Sequence, residues 1–222
     1  MDNKDKLQAI FFKGRAEDNF IGHIVAEIYK DRIYDPYLRG KKDLTILDFG
    51  GNIGISAYYF SQFAKKVVVL EPSLRHFDTL TRMIDFNGIK DIVKPVRKAL
   101  YTEITKLPFY HNQNETMYSL YQSINDGSSE PEMVDTVTIE QLLKDEKIDH
   151  VDFMKLDVEG SEGEILAGSG FGNVADKIDT IVMETHSWGI RPPQQITDAL
   201  TNRGFKVVQI PGDATLWSAT RT

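Results

Sequence analysis

The sequence predicts a single α/β domain built on a mostly parallel sheet. Helix-like and strand-like runs alternate along most of the chain, which is the pattern of an α/β fold. Unbroken aliphatic runs such as Val67–Leu70 suit strands that are buried on both faces of a parallel sheet. The 222 residues, 41% of them hydrophobic, are enough for one sizeable core and too few for two comfortable domains.

Hydrophobic periodicity and turn residues place the individual elements. Apolar residues at helical spacing, glycines that end a run and prolines that begin one predict helices at Leu7–Phe12, Glu17–Tyr29, Ile55–Phe63, Leu74–Asn87, Ile139–Lys144, Glu162–Leu166 and Gln194–Asn202. Apolar or alternating runs between turns predict strands at Leu44–Phe49, Lys66–Leu70, Asp91–Val96, Lys106–Tyr110, Val134–Thr138, His150–Leu156, Lys177–Glu184, Phe205–Ile210 and Ala214–Ser218.

Composition excludes several classes of function. The formal net charge is −7 and the chain has no long block of Lys or Arg, which argues against nucleic acid as the main partner. Cysteine is absent, so disulfides, thiolate catalysis and zinc–thiolate sites are excluded. We found neither a signal-peptide pattern nor a run of membrane-spanning length. We therefore expect a soluble, cytoplasmic protein that does not bind a membrane.

The stretch ILDFGGNIGIS, residues 46–56, ends the first predicted strand with a carboxylate and three glycines. Open parallel sheets bind ligands at the carboxyl ends of their strands, and glycine there lets a ligand approach the main chain. A dinucleotide fingerprint has the order Gly-x-Gly-x-x-Gly, whereas residues 50–54 read Gly-Gly-Asn-Ile-Gly. Asp48, two residues earlier, suits a cationic ligand better than a pyrophosphate. S-adenosylmethionine, which carries an ammonium and a sulfonium, is such a ligand.

Glu71 ends the second strand of the predicted sheet. An acid at this point can accept hydrogen bonds from both ribose hydroxyls of an adenosine. NAD would use the same acid, so Glu71 predicts an adenosine ribose without selecting the cofactor. A solvated glutamate ahead of a proline turn is the simpler interpretation, but the nearby glycine turn favours the ribose.

A second group of carboxylates follows the strand His150–Leu156. Asp157 and Glu159 are two residues apart, so an extended chain directs them to the same side. Two like charges that close disfavour each other's ionisation unless a cation or a donor intervenes. Lys155, in the same strand, is expected to pair with a carboxylate. Glu162, at the start of the next helix, serves either the helix dipole or the site.

Three segments in this order, LDFGGNIGISAYYFS, VVVLEPS and FMKLDVEGSEGEIL, closely resemble the FkbM-type methyltransferase family. TVTIEQLL and IVMETH also match its pattern, and the resemblance extends from about Leu44 to Phe205. It implies a Rossmann-like class I methyltransferase domain at residues 44–222. Such a domain has a mostly parallel seven-stranded sheet, helices on both faces and an antiparallel last strand. Residues 1–43 are expected to form a helical segment that caps the acceptor side.

The resemblance also implies that S-adenosylmethionine is the cofactor and assigns its contacts. The glycine turn would hold the methionine half, the second strand's acid the ribose, and residues after the third strand the adenine. The cofactor-binding residues expected in this way are Asp48, Gly50, Gly51, Asn52, Gly54, Glu71, Pro72, Ser73, Ala99 and Leu100. Many class I enzymes have an acid for the adenine amino group after the third strand. Residues 97–100 offer none, so backbone groups would take that role.

The activity that the family implies is mainly O-methylation, often of sugar or polyketide hydroxyls. We therefore expect a small-molecule acceptor, with Asp157, Glu159 and His186 as catalytic residues. Asp157 would act as general base, or would bind a divalent cation such as Mg²⁺ together with Glu184 and His186. Acceptor specificity is expected to reside in the N-terminal 40 residues and in the insert Tyr101–Met133.

Two other classes of function are open at this stage. A nicotinamide-dependent oxidoreductase would use the same type of sheet, and a non-catalytic protein would retain the nucleoside pocket as a ligand sensor. Binding of S-adenosylhomocysteine but not NAD would separate the first from a methyltransferase. The oligomeric state is also open, with a homodimer as one alternative.

Overall fold

The computed structural model describes residues 19–111, 118–122, 130–186, 189 and 191–221. The predicted helix at Leu7–Phe12 lies outside these residues. The described helices are α1 (Asn19–Val25), which continues as a π-helix over Ala26–Asp31, α2 (Asp35–Leu38), α3 (Ile55–Phe60), α4 (Leu74–Phe86), α5 (Ile139–Asp145), α6 (Glu162–Ala167), α7 (Ser169–Gly172), a 3₁₀ turn at Ala175–Lys177, and α8 (Pro193–Thr201).

The described strands belong to a large and a small sheet. In chain order they are β1 (Leu44–Phe49), β2 (Ala64–Leu70), β3 (Val93–Val96), β4 (Ala99–Leu100), β5 (Lys106–His111), β6 (Tyr118–Ser119), β7 (Glu132–Val137), β8 (Phe153–Leu156), β9 (Thr180–Glu184), β10 (Phe205–Gln209) and β11 (Leu216–Arg221).

The large sheet has, among the described residues, seven strands in the order β10-β11-β9-β8-β1-β2-β3. The pairs β1/β2, β1/β8, β2/β3 and β8/β9 are parallel, and β11 is antiparallel to both of its neighbours. This confirms the predicted α/β class, the mostly parallel sheet and the antiparallel last strand. The strand order reverses beside β1, and in open α/β sheets ligands bind at such a reversal.

Helices cover both faces of the large sheet, as predicted. Because successive strand residues point to opposite faces, Ile46 joins one apolar core and Leu47 the other. Helices α1 to α4 supply the first core, with Leu80 and Phe60 fully buried. Helices α5 to α8 supply the second. Both faces of the central strands are therefore buried in apolar cores, which explains their unbroken aliphatic runs.

The small sheet, in the order β4-β7-β5-β6, was not predicted as a sheet. Its strands β5 and β7 were predicted singly, but β4 and β6 are two residues long and carry no periodicity. No local pattern predicts their partners: Ala99 pairs with Thr136, which is remote in sequence, and Tyr110 pairs with Ser119.

Several predicted element boundaries differ from the structure by a few residues, and two of these differences have an identifiable cause. The predicted helix Glu17–Tyr29 turns into a π-helix at Ala26 and ends before Arg32, which has a φ of 55°. The last strand begins at Leu216 rather than Ala214. The carboxylate of Asp213 accepts bonds from the backbone and the hydroxyl of Thr215, so a side-chain turn extends the loop. Among the described residues, every helix is too short or too polar to cross a bilayer.

Candidate active site

A cavity of about 270 Å³ lies where β1, β2, β8 and β9 end. Gly50, Glu71, Asp157 and Glu184 follow or end these four strands, and all of them line the cavity. This is the edge of the sheet at which the sequence predicts a site, and it brings the glycine turn, the ribose acid and the second carboxylate group together.

The glycines after β1 are required by the packing of the chain itself. Gly50 has a φ of 80°, and a Cβ there would lie 1.8 Å from the backbone oxygen of Asp157. Gly54 has a φ of 95°, and its Cβ would lie 2.2 Å from the Met83 side chain. A Cβ on Gly51 would collide with Val69. These glycines therefore let the turn after β1 pack against the turn after β8, against β2 and against α4, in addition to the ligand approach that the sequence predicts.

Asp48 is fully buried and does not itself line the cavity. Its Oδ2 accepts a 2.7 Å bond from the Ser56 hydroxyl, and its Oδ1 lies 3.7 Å from the Lys155 ammonium. Burial raises the pKa of Asp48. This carboxylate therefore acts on the cavity through its neighbours and its field rather than by direct contact.

Lys155 lines the cavity in front of Asp48. Its Nζ donates to the Gly50 carbonyl at 2.9 Å and to Asp157 Oδ2 at 3.1 Å. Burial opposes its charged form, but Asp157 and Asp48 outweigh that effect and raise the pKa of Lys155. The lysine thus ties the turn after β1 to the turn after β8, and the two acids leave this region with one net negative charge.

Glu71 is buried and lines the cavity on the side of β2. Its carboxylate accepts backbone N–H bonds from Asn52 at 2.8 Å and from Ser73 at 2.9 Å. Burial raises the pKa of Glu71 to about 7. A carboxylate has about four acceptor positions, so two amide bonds leave capacity for ribose hydroxyls. The predicted ribose contact therefore fits this geometry.

His186 stands at the centre of the carboxylates at the opposite end of the cavity. Its Nδ1 lies 3.0 Å from Glu162 Oε1. Its Nε2 lies 3.5 Å from Glu159 Oε2, 3.8 Å from Glu184 Oε1 and 3.9 Å from Asp157 Oδ1. The structure thus brings together all three expected catalytic residues and adds Glu162, whose role the sequence left open.

Three of these side chains have raised pKa values. Burial disfavours the imidazolium of His186, but Glu162, Glu159 and Asp157 together outweigh burial and raise the pKa of His186 to about 9. Burial, helped by Asp157, raises the pKa of Glu159 to about 8. The same causes raise the pKa of Glu184 to about 7. Perturbed groups of this kind in a cleft are typical of a reaction site.

Glu162 holds the turn after β8 in place. It is 1% exposed, and its carboxylate accepts backbone N–H bonds from Val158 and Gly160, both at 3.1 Å. In that turn Glu159 has a φ of 57°, a conformation that glutamate rarely adopts. Glu162 therefore stabilises a strained backbone and also orients His186.

The expected Mg²⁺ ligands fit that ion poorly. Mg²⁺ prefers octahedral oxygen ligands, and a metal-bound imidazole must be unprotonated. Here Glu162 and its neighbouring carboxylates favour the protonated form of His186, and the Lys155 ammonium is paired with Asp157. Among the described residues, the group with ligand atoms within 4.8 Å of one another at this site is Asp157, Glu162 and His186, without Glu184.

Two parts of the cavity wall were not predicted residue by residue. The N-terminal segment contributes one part, with His23, Glu27 and Tyr34. Phe109 and Tyr118 line the cavity from the small sheet, near Glu71. Neither set carries a motif, and both reach the cavity through contacts remote in sequence. Of the expected adenine contacts, Ala99 and Leu100 also line this wall.

Comparison with known proteins agrees with this geometry. Residues 48–207 match the methyltransferase FkbM domain, which is more than half of the chain. Methyltransferase sdnD of Sordaria araneosa is 26% identical over 219 residues, covering 84% of this chain and 82% of its own.

Solved structures show the same fold at low identity. The magnesium protoporphyrin IX methyltransferase of Synechocystis PCC 6803, with bound S-adenosylmethionine, superposes with a TM-score of 0.54 at 11% identity, covering 99% of this chain and 91% of its own. A protein of Clostridium thermocellum assigned as an rRNA methylase gives 0.51 at 9% identity, covering 92% and 97%. The chain belongs to the FkbM methyltransferase family and is an S-adenosylmethionine-dependent methyltransferase.

Proposed function

We propose that the protein transfers a methyl group to a hydroxyl of a small organic acceptor and that Asp157 accepts the hydroxyl proton. The observation that supports this most directly is the convergence of Asp157, Glu159, Glu184 and His186 at one end of the cavity that Glu71 lines at the other. Asp157, as the proton acceptor, and Glu71, as the nucleoside contact, therefore line the same cavity.

Each group of residues has a separate task in this proposal. When bound, S-adenosylmethionine supplies an electrophilic methyl group on a positively charged sulfur. Glu71 accepts hydrogen bonds from the ribose hydroxyls. Asp48 and Asp157, with Lys155 between them, are two acids against one cation, and this excess of negative charge attracts the charged methionine half. Methyl transfer to oxygen is an in-line displacement, so the protein's remaining tasks are alignment and removal of one proton.

Asp157 is the best placed of the acids for that proton transfer. It lines the cavity, and its side chain retains 29% exposure, whereas Glu162 is occupied by backbone amides and His186. Lys155 fixes Oδ2 at 3.1 Å, which leaves Oδ1 as the proton-accepting atom. Glu159 and His186 then compensate for the negative charge that Asp157 loses when it accepts the proton.

A small acceptor fits the electrostatics of the cavity better than a nucleic acid. Glu27, Glu159 and Glu184 line the side away from Glu71, where their carboxyl groups offer a phosphate no favourable contact. The same carboxylates accept hydrogen bonds from a polyhydroxylated molecule. Glu27 lies in the π-helix that continues α1, which supports residues 1–43 as the acceptor-side cap.

The acceptor and the role of Asp157 can be tested together. Small-molecule extracts incubated with the protein and isotope-labelled S-adenosylmethionine are examined by mass spectrometry for compounds that gain a labelled methyl group on oxygen. With such an acceptor, Asp157→Asn is expected to lower kcat by about 10²–10⁴-fold, the usual contribution of a general base. Binding of S-adenosylhomocysteine, followed by calorimetry, should persist. Unchanged turnover in Asp157→Asn would remove Asp157 as the base.

A further inference from the structure

The small sheet contributes an apolar wall to the nucleoside end of the cavity. Ala99, Phe109 and Val134 are its buried core, and Tyr118 and Leu120 pack against them. All of these except Val134 also line the cavity that contains Glu71. The core of the small sheet is therefore open on one side, and that side faces the predicted ribose acid.

Tyr118, in strand β6, lies beside the turn that carries this acid. Its ring centroid is 4.5 Å from that of His76, in the helix that follows Glu71. Its hydroxyl interacts with Ser73, two residues after Glu71, and burial raises its pKa. A ring in this position adjoins any base attached to a ribose that Glu71 holds.

Ser119, the next residue of β6, contacts the other functional turn. It is fully buried, and its hydroxyl donates a 2.5 Å bond to the carbonyl oxygen of Glu159. Neighbouring strand residues point to opposite sides, so β6 reaches the nucleoside wall with Tyr118 and the turn after β8 with Ser119. The bond holds Glu159 in its strained conformation, with a φ of 57°.

We propose that β6 is part of the cofactor site, in which Tyr118 contacts the adenine and Ser119 positions the turn that carries Glu159. The proposal rests on the proposed function, because it takes Glu71 as the ribose contact. It places β6, which belongs to the insert Tyr101–Met133, with the cofactor rather than the acceptor. It also explains why residues 97–100 need no acid for the adenine, since an apolar and aromatic wall selects the flat base by shape.

Calorimetry with two probes tests the role of Tyr118. S-adenosylhomocysteine contains both halves of the cofactor, whereas adenosine reports on the base and ribose alone. Tyr118→Ala is expected to weaken binding of both probes by roughly tenfold, and Tyr118→Phe to retain affinity within about threefold. Tyr118→Leu keeps the apolar bulk but lacks the ring. If Tyr118→Ala fails to fold, Tyr118→Leu replaces it, and weaker binding of both probes is the expected result. Tyr110→Ala, in the same sheet but outside the cavity wall, is the matched control and should bind both probes normally.

Ser119→Ala separates positioning from binding. If Ser119 acts through Glu159, its removal lowers kcat while the affinity for adenosine stays unchanged; a loss of both, or of neither, contradicts the positioning role. Wild-type affinity for both probes in Tyr118→Ala or Tyr118→Leu would overturn the adenine contact and leave the proposed methyl transfer intact. A wild-type protein that binds neither probe would overturn both.

Discussion

The two ends of the cavity differ in how they are built. The nucleoside end has an apolar wall and one acid, Glu71, whose carboxylate is bound by two backbone amides. At the opposite end the Nε2 atom of His186 lies within 4 Å of three carboxylates, and its Nδ1 contacts a fourth. The end lined by Glu71 is mainly an apolar surface, and the end around His186 is a group of interacting charges.

This difference determines how each end responds to a substitution. At the end lined by Glu71 most of the wall is apolar, so a substitution there changes few other ionisations and acts mainly on ligand affinity. At the charged end every group sets the ionisation of the others, so one substitution changes protonation, stability and turnover together. The following changes test that contrast, from the largest expected effect to the smallest.

Lys155→Met is expected to have the largest effect, on folding stability. It leaves Asp48 and Asp157 without their shared cation in a buried place, and breaking such a pair typically costs about 3–5 kcal/mol of unfolding free energy. Urea denaturation measures this. Lys94→Met, which removes a half-exposed partner of Glu146, is the control and should cost less than about 1 kcal/mol. Equal losses in both variants would contradict the central role of Lys155.

Glu71→Ala is expected to affect cofactor affinity. Lost charge-assisted bonds to the ribose should weaken S-adenosylhomocysteine binding by about 1–3 kcal/mol in calorimetry. Glu140→Ala, an exposed acid outside the cavity, should bind normally. If Glu71→Ala also binds normally, Glu71 is not the ribose contact, and the nucleoside end must be placed elsewhere.

The pH dependence of stability should reveal the charged end. The folded pKa of His186 is raised to about 9 from an ordinary 6.5, so its contribution is complete below about pH 6.5 and is lost as the pH rises through 9. The raised pKa values of Glu159 and Glu184 act in the same direction, because the folded state also binds their protons more tightly. Their share is lost from about pH 4.5 upwards, so the cofactor-free protein is expected to lose stability in urea denaturation between pH 4.5 and 9, with the His186 share lost above pH 6.5.

Glu162→Gln sharpens this test. Without the glutamate charge at Nδ1, the pKa of His186 should fall, and the loss of stability between pH 6.5 and 9 should become smaller. An NMR titration of the His186 ring measures the same shift directly. An unchanged His186 titration in Glu162→Gln would show that the other carboxylates hold the proton.

Chelation is expected to have the smallest effect. Since the Lys155 ammonium is paired with Asp157 and the surrounding carboxylates favour the His186 cation, a chelator should leave the methyl-transfer rate unchanged. Loss of activity with a chelator and recovery with Mg²⁺ or Mn²⁺ would restore the metal-assisted mechanism.

Much of the large sheet and part of the site could be predicted because their signals are local. Asp157 and Glu159 follow one strand with a spacing that directs them to one side, and Glu71 ends a strand whose aliphatic run is unmistakable. The role of Glu162 was ambiguous, since an acid at a helix start has an ordinary local use. Only its contact with His186, 24 residues away, shows the other role.

The glycines illustrate a prediction that was correct in place and incomplete in reason. Their pattern marks the turn after β1, but the atoms that exclude a Cβ belong to Asp157, Val69 and Met83. Sequence spacing shows that something approaches the backbone closely. It does not show whether that neighbour is a ligand or another part of the chain.

The sequence by itself determined the fold class, the family and the edge of the sheet at which the cavity lies, because each depends on periodicity or spacing within short segments. Only the tertiary structure decided which charged groups lie next to one another at that edge and which residues line the cavity beside Glu71. Lys155 meets Asp48 across two strands, and Tyr118 reaches the Glu71 turn from a separate sheet. Ionisation and packing depend on distances through space, which a linear pattern does not contain.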